Sequence, residues 1–279
     1  HIKGLRLKIP SLKRLLRAIK MEIMSKINLS QSLLRNFWKE DTCFKAIEEQ
    51  YIKGRNIPQT EPMLCGLVFE HYLIGGTRDG SIPSFPLLKS GKPPKIEGDM
   101  MELVERSKPT LEALGIVTKE LQPEWVVPYN DAFELGAHPD ILGSINYNGH
   151  QEECILDIKW TGGRYEDKWN GWADISMHIE KQWQPKHYVY MYYKMTKKIV
   201  PFYFLVFGKS GWKRLIKCVI TKEQIDQHGR IIEETIKEIG ERMMIGWEAS
   251  PECNKCQACA FSEGCESFSH LPKVQEFIF

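Results

Sequence analysis

The amino-acid sequence predicts an α/β fold in which helices flank a mixed sheet. Three patterns support this prediction: a helical segment at Met63–Ile74, two strand-like segments joined by a turn at Asn146–Gly149, and further strands and helices up to Trp247. With 279 residues, of which 42% are hydrophobic and 27% charged, the chain can bury a full core. We therefore expect one main domain, residues 29–279.

The first part of this domain is predicted to be mostly helical. Apolar spacing indicates a helix over residues 29–53, a second over Met63–Ile74 with Glu70 on its polar side, and a third over Glu97–Leu114. Residues 75–95 are rich in Gly and Pro, so we expect a long loop there that borders a binding site.

Strands are expected next, at residues 125–129 and 132–135. The following pair reads as a hairpin, with strands at Pro139–Gly143 and Cys154–Lys159 and the Asn-Gly turn at Asn146–Gly149 between them. This hairpin is the central element of the predicted sheet.

Side chains alternate across a strand. Asp157 and Lys159 should therefore share one face, while Leu156 and Ile158 point into the core. Asp140 begins the neighbouring strand, so two carboxylates and a lysine should meet at one point. Carboxylates suit hard cations such as Mg²⁺ or Mn²⁺, and a lysine can orient water or offset phosphate charge. This pattern is typical of a metal-dependent phosphodiesterase.

The remaining elements complete the alternation. Residues 161–181 are expected to form a loop and a short helix, and Gln184–Lys194 a helix with Gln184 and Tyr188 on one face. A hairpin over residues 201–221 and a closing helix over 221–247 follow.

The N-terminal residues 1–28 differ in charge from the rest. Residues 1–20 contain seven Lys or Arg residues and no acidic one, and apolar residues from Ser11 follow helical spacing. Such a basic amphipathic helix could contact DNA, a protein partner or an anionic membrane. An added leader, with Met21 or Met24 as the native start, is an equal alternative.

The cysteines predict a metal or cluster site. The sequence has no secretory signal or transmembrane run, so a cytoplasmic, reducing compartment is expected and disulfides are not. Cys253, Cys256, Cys259 and Cys265 are too dense for packing alone. Four thiolates can hold Zn²⁺ or an iron–sulfur cluster, and the spacing does not decide between them. The other cysteines in apolar surroundings, predicted to be buried core thiols, are Cys65, Cys154 and Cys218.

The ordered set of motifs resembles the PD-(D/E)XK nucleases, in particular the RecB-like branch with the CRISPR-associated RecB-like exonucleases and the AddB-type nuclease domains. That family has Ser-x-Ser-x-Leu, a helix residue after Gly-x-x-x, Gly-x-x-Asp or Pro-Asp, Asp-x-Lys and Gln-x-x-x-Tyr. The first motif begins here at Ser30 and ends at Leu34. The residues that match the others are Glu70, Asp140, Asp157, Lys159, Gln184 and Tyr188.

The resemblance implies a Mg²⁺- or Mn²⁺-dependent DNA exonuclease that hydrolyses phosphodiester bonds from DNA ends. Its partner would be DNA that is single-stranded or has a free end. Glu70, Asp140 and Asp157, with the backbone carbonyl of Ile158, would hold the metal. Lys159 would position or activate water. The residues that would orient the DNA strand are Gln184 and Tyr188.

The resemblance also implies a [4Fe-4S] cluster on Cys256, Cys259 and Cys265, with Cys43 as the distant fourth ligand and Cys253 as its alternative. It favours iron–sulfur over zinc. The sequence departs from the family where Glu70 replaces the commoner histidine and where Cys43 lacks a following proline. The alternatives are an endonuclease or flap nuclease, and a catalytically silent DNA-binding subunit with a structural cluster or zinc site.

Overall fold

The computed structural model describes residues 26–39, 42–76, 81–163, 172, 182–249, 256, 259–263 and 265. The expected basic helix in residues 1–20 and most of the expected loop at 161–181 lie outside these ranges. The chain forms two compact units. The first contains residues 1–57, 126–135 and 230–279, and the second contains residues 58–125 and 136–229.

The second unit is built on a five-stranded mixed sheet. Its strands are β2 (Val117–Leu121), β5 (Ile141–Tyr147), β6 (His150–Thr161), β7 (Phe202–Gly208) and β8 (Lys213–Cys218), in the order β2-β5-β6-β7-β8. Strands β6 and β7 are parallel, and the other three pairs of neighbouring strands in this sheet are antiparallel. Its helices are α3 (Glu61–Ile74), α4 (Lys95–Ala113) and α5 (Trp183–Thr196).

The hairpin of β5 and β6 confirms the predicted strand pair. Asn148 and Gly149 form the turn with φ of 53° and 81°, the left-handed conformation that an Asn-Gly turn favours. Ile141 pairs with Leu156 and Tyr147 with His150. This register, extended by one residue, sets Asp140 opposite Asp157.

Helices α3 and α4 pack against one face of this sheet. Phe69, Leu156, Ile158 and Leu205 are among the buried residues of this core. Leu156 and Ile158 therefore point into the core as predicted. The opposite face of β6 carries Asp157 and Lys159, and α5 packs on the neighbouring strand β7 there.

Close approach of two strands requires a glycine in β5. A Cβ on Gly143 would lie 2.2 Å from the backbone oxygen of Val117 in β2. Because a backbone atom cannot yield as a side chain can, only glycine lets β2 pair with β5 at this position.

The first unit holds nearly all of a three-stranded sheet. Its strands are β1 (Ile27–Ser30), β3 (Trp125–Pro128) and β4 (Phe133–Ala137), in the order β1-β4-β3. Its N-terminal helices are α1 (Gln31–Phe37) and α2 (Phe44–Ile47), which is followed by a π-helical turn, Glu48–Ile52. The long helix α6 (Lys222–Ile245) begins in the second unit and continues in the first.

Two elements differ from their prediction. The expected helix at residues 29–53 is not continuous. Its first residues belong to strand β1, and α1 begins only after Ser30, the N-cap, which accepts a hydrogen bond from the backbone of Leu33. A second break separates α1 from α2. Strand β2 was not expected, because all five of its residues are exposed and give no alternating apolar pattern. Across the described ranges, no helix has the length and apolar character needed to span a membrane.

Candidate active site

Asp140 immediately precedes β5 and lies beside Asp157, which is within the neighbouring strand β6, and both are fully buried. The Oδ2 atom of Asp140 accepts a hydrogen bond of 2.6 Å from the backbone N–H of Ile158. This bond attaches the start of β5 to β6 and fixes the Asp140 carboxylate beside the residue that follows Asp157. The predicted pair of carboxylates therefore meets at one place in the sheet.

Lys159 compensates part of this buried negative charge. Its ammonium group forms an ion pair with Oδ2 of Asp157, and its side chain is 30% exposed. Burial opposes the charge on Lys159, but the carboxylates of Asp157 and Asp140 outweigh burial and raise the lysine pKa above its usual value. Lys159 is therefore an ammonium ion at neutral pH that pairs with Asp157, and part of its side chain contacts solvent.

Helix α5 brings Gln184 and Tyr188 to the same place. The side-chain N–H of Gln184 donates to Oδ1 of Asp157 at 2.5 Å. The hydroxyl of Tyr188 donates to the backbone oxygen of His138 at 3.2 Å. Burial, together with the charge of Asp157, raises the pKa of Tyr188 to about 12, so the phenol stays protonated. Both residues occupy the helix face that their four-residue spacing predicts.

Glu70 reaches the site by a different route. It is only 8% exposed, so it does not lie on a polar helix face as the sequence analysis expected. Its Oε1 atom accepts a hydrogen bond of 2.7 Å from the side-chain amide of Gln122. The backbone N–H of Gln122 donates to the backbone oxygen of Asp140 at 2.8 Å. Gln122 thus connects Glu70 to Asp140, and the sequence analysis did not identify it.

A cavity of about 390 Å³ opens beside this connection. Its lining includes Glu70, His71, Gln122 and His138. Within the described ranges, no three His, Cys, Asp or Glu side chains form a group that could hold a metal ion as placed. The structure thus brings Asp140, Asp157, Lys159, Gln184 and Tyr188 into one cluster and links Glu70 to it through Gln122.

A buried histidine pair lies behind α5. The Nε2 atom of His187 contacts the backbone oxygen of Gly136 at 3.1 Å, and its Nδ1 atom contacts Nε2 of His228 at 3.1 Å. Burial lowers the pKa of His187 to about 4 and that of His228 well below its usual value. Both imidazoles are neutral at physiological pH. The pair connects α5 to the chain that leads into Asp140.

The cysteines of the expected cluster lie in the first unit. Cys256, Cys259 and Cys265 are half-buried, and backbone hydrogen bonds of 3.1–3.2 Å form successive turns through them. The backbone N–H of Phe261 donates to Sγ of Cys259 at 3.4 Å. Cys253 lies outside the described residues. The ligand assignments therefore stay predictions.

Cys43, the expected fourth ligand, is also half-buried and precedes helix α2. The backbone N–H of Lys45 donates to the backbone oxygen of Glu248 at 3.1 Å, which brings α2 close to the segment before the cysteines. Cys65, Cys154 and Cys218, by contrast, are buried, as predicted for core thiols.

Comparison with known proteins identifies the fold. No family model matches the chain, and no curated protein does. A crystal structure titled "Putative exonuclease" from Eubacterium rectale is similar over 99% of this chain and 97% of its own, with a TM-score of 0.57 and 15% identity. A second crystal structure, that of SSO0001, is 16% identical over 91% of this chain and 95% of its own, with a TM-score of 0.37.

The likeness to the Eubacterium rectale structure shows the fold alone, because the identity is low. The chain has a mixed α/β fold of the kind found in that structure, with sheets flanked by helices. This confirms the fold class that the sequence predicts.

Proposed function

We propose that this protein is a Mg²⁺- or Mn²⁺-dependent DNA nuclease of the PD-(D/E)XK type. The observation that carries the proposal is the cluster in which Asp157 contacts both Lys159 and Gln184 while Asp140 binds the backbone of the same strand. Buried carboxylates are costly, and a site that holds two of them beside a lysine suits cation-assisted phosphate chemistry.

The donor atoms fit a hard cation. Asp140 and Asp157 offer carboxylate oxygens on adjacent strands, and hard divalent cations prefer such ligands. The N–H and C=O groups of a strand residue point to the same side, so the carbonyl of Ile158 faces the side on which its N–H binds Asp140. Glu70 would complete the set only by moving closer to the two aspartates, since the three carboxylates do not form a metal-holding group as placed. When bound, the metal would supply Lewis-acid activation of the phosphate and of water.

Lys159 would act as a hydrogen-bond donor. Without a bound cation, the carboxylates of Asp157 and Asp140 raise its pKa and keep it an ammonium ion at neutral pH. Beside a bound cation, it would position or activate the attacking water and offset the negative charge that develops on the phosphate.

Gln184 and Tyr188 would shape the same site from α5. Gln184 already donates to Asp157, so its amide holds that carboxylate in one orientation. Tyr188 is buried and bonded to the segment before Asp140, so it supports the strand end. Both would keep the carboxylates and the DNA phosphate in register, which is how positioning groups contribute to catalysis.

We further propose that the protein is an exonuclease that acts on DNA ends. The similar Eubacterium rectale structure is described as a "Putative exonuclease", and the cavity beside Glu70 and Gln122 gives room for part of a substrate.

For the cysteines, we propose a structural [4Fe-4S] cluster on Cys43, Cys256, Cys259 and Cys265. The turns through the last three and the N–H···S bond at Cys259 support it, since such bonds are common around cluster sulfurs.

The test is a cleavage assay on single- and double-stranded DNA labelled at one end. The proposal predicts loss of the label with Mn²⁺ or Mg²⁺ present and none with EDTA. Binding without cleavage under every metal condition would instead favour the silent DNA-binding subunit.

A further inference from the structure

Gln122 has an unusual backbone conformation for its residue type. It follows strand β2 with φ of 46°, in the left-handed region that residues with a Cβ rarely adopt. Its backbone N–H binds the carbonyl of Asp140, and its side-chain N–H binds the carboxylate of Glu70. Since a carboxylate only accepts hydrogen bonds, the amide nitrogen must face Glu70. Strained conformations of this kind persist where surrounding contacts require them.

The amide of Gln122 is also confined from its other side. Its Oε1 atom is buried and has no hydrogen-bond partner among the described residues. A Cβ added to Gly76 would lie 2.5 Å from this oxygen. Gly76 is itself held, because its backbone oxygen contacts Nδ1 of His71 at 2.6 Å. Glu70 thus holds the Gln122 amide by a direct hydrogen bond, and His71 confines it by holding Gly76 in place.

We propose that Gln122 is a positioning residue that sets the Glu70 carboxylate for cation binding beside Asp140. This inference rests on the proposed function, since it concerns the same metal site. Glu70 is the one expected ligand that lies on a helix rather than in or next to a strand, and Gln122 holds it by one bond and the Asp140 backbone by another. A group that orients a ligand in this way commonly changes metal affinity about 10- to 100-fold when it is removed.

A near-isosteric variant separates this role from packing. Gln122→Met keeps the length of the side chain and the backbone bond to Asp140 but removes the amide. We expect Mn²⁺ to bind about tenfold more weakly in isothermal titration calorimetry without DNA, while thermal unfolding in EDTA stays cooperative, as for a folded protein. Gln151→Ala is the control, because the side chain of Gln151 forms hydrogen bonds with Ser144 in the hairpin and with Gly115 before β2 instead.

A second pair of variants tests the same contact from the opposite side. Gly75 and Gly76 both have positive φ, of 70° and 135°, so alanine strains the backbone at either position. Only Gly76→Ala would also push the Gln122 amide, since nothing lies within 4 Å of a Cβ on Gly75. Gly76→Ala should therefore weaken Mn²⁺ binding more than Gly75→Ala.

The Mn²⁺-binding results separate the positioning role of Gln122 from the proposed nuclease function. Wild-type protein that binds Mn²⁺, with Gln122→Met binding it equally well, would overturn the positioning role and leave the nuclease proposal intact. Wild-type protein that binds no Mn²⁺ would overturn both. Weaker binding in Gln122→Met and Gly76→Ala, with Gln151→Ala and Gly75→Ala close to wild type, is the result that supports the inference.

Discussion

Replacement of Lys159 by methionine should destabilise the protein, and a divalent cation should reverse the effect. The substitution keeps most of the aliphatic chain but removes the ammonium group that pairs with Asp157. Asp157 is fully buried, so its carboxylate would lose its close cationic partner and keep the hydrogen bond from Gln184.

The expected loss follows from the burial of the two partners. Removing one partner of a buried ion pair costs about 3–5 kcal/mol. Lys159 is 30% exposed and Gln184 still donates to Asp157, so we take the lower end, about 3 kcal/mol. For a chain of this size, that loss lowers the thermal midpoint by about 6–12 °C.

The assay is thermal unfolding in EDTA and in excess Mn²⁺. We expect Lys159→Met to melt earlier than wild type in EDTA and to regain most of the difference with Mn²⁺, because the cation supplies the missing positive charge at Asp157. Adding Asp157→Asn to Lys159→Met should also restore stability, since the uncompensated charge is gone. An unchanged midpoint in EDTA, or a loss that neither Mn²⁺ nor Asp157→Asn reverses, would refute the reasoning.

Three further predictions concern pH, the cysteines and the substrate. His187 has a pKa of about 4 when folded and about 6.5 when unfolded, so unfolding takes up a proton in this range and stability falls as the pH drops from 6.5 to 4, by ~1.4 kcal/mol per pH unit. Urea unfolding of His187→Gln should show a shallower fall, and an equal slope would contradict this. Protein purified without oxygen should be brown, and Cys43→Ser should lose more iron than Cys253→Ser. A greater loss of iron in Cys253→Ser would make Cys253 the fourth ligand. Bound zinc in place of iron would reject the iron–sulfur cluster. Closed circular single strands should survive conditions that degrade linear ones, whereas rapid nicking would favour the endonuclease.

The central hairpin was predictable because its signals are local. The Asn148–Gly149 turn fixes the register of β5 and β6. Side chains alternate along a strand, so Asp157 and Lys159 lie on one face of β6 and Leu156 on the other. Gln184 and Tyr188 were predictable for a similar reason, since four residues make about one turn of a helix. Spacing therefore predicted which residues share a face of β6 or of α5, but not that these two faces meet.

The contribution of Gln122 was not predictable. It follows an exposed edge strand with no apolar alternation, and its contacts join residues 52 positions apart in sequence. The burial of Glu70 was missed for a related reason: helical spacing gives the residues that share a face, but the tertiary packing decides how much of that face is covered. The buried pair of His187 and His228 likewise depends on contacts across 41 positions.

The most direct test of the central claim is cleavage of end-labelled linear DNA by Asp157→Asn with Mn²⁺. The variant removes the charge of the buried carboxylate and hardly alters its shape. The matched control is Glu153→Gln, which removes a carboxylate from the same strand at a partly exposed position. We predict that Asp157→Asn remains folded and binds DNA but does not cleave it, while Glu153→Gln cleaves like wild type. Cleavage by Asp157→Asn at the wild-type rate would contradict a metal-dependent active site at Asp157.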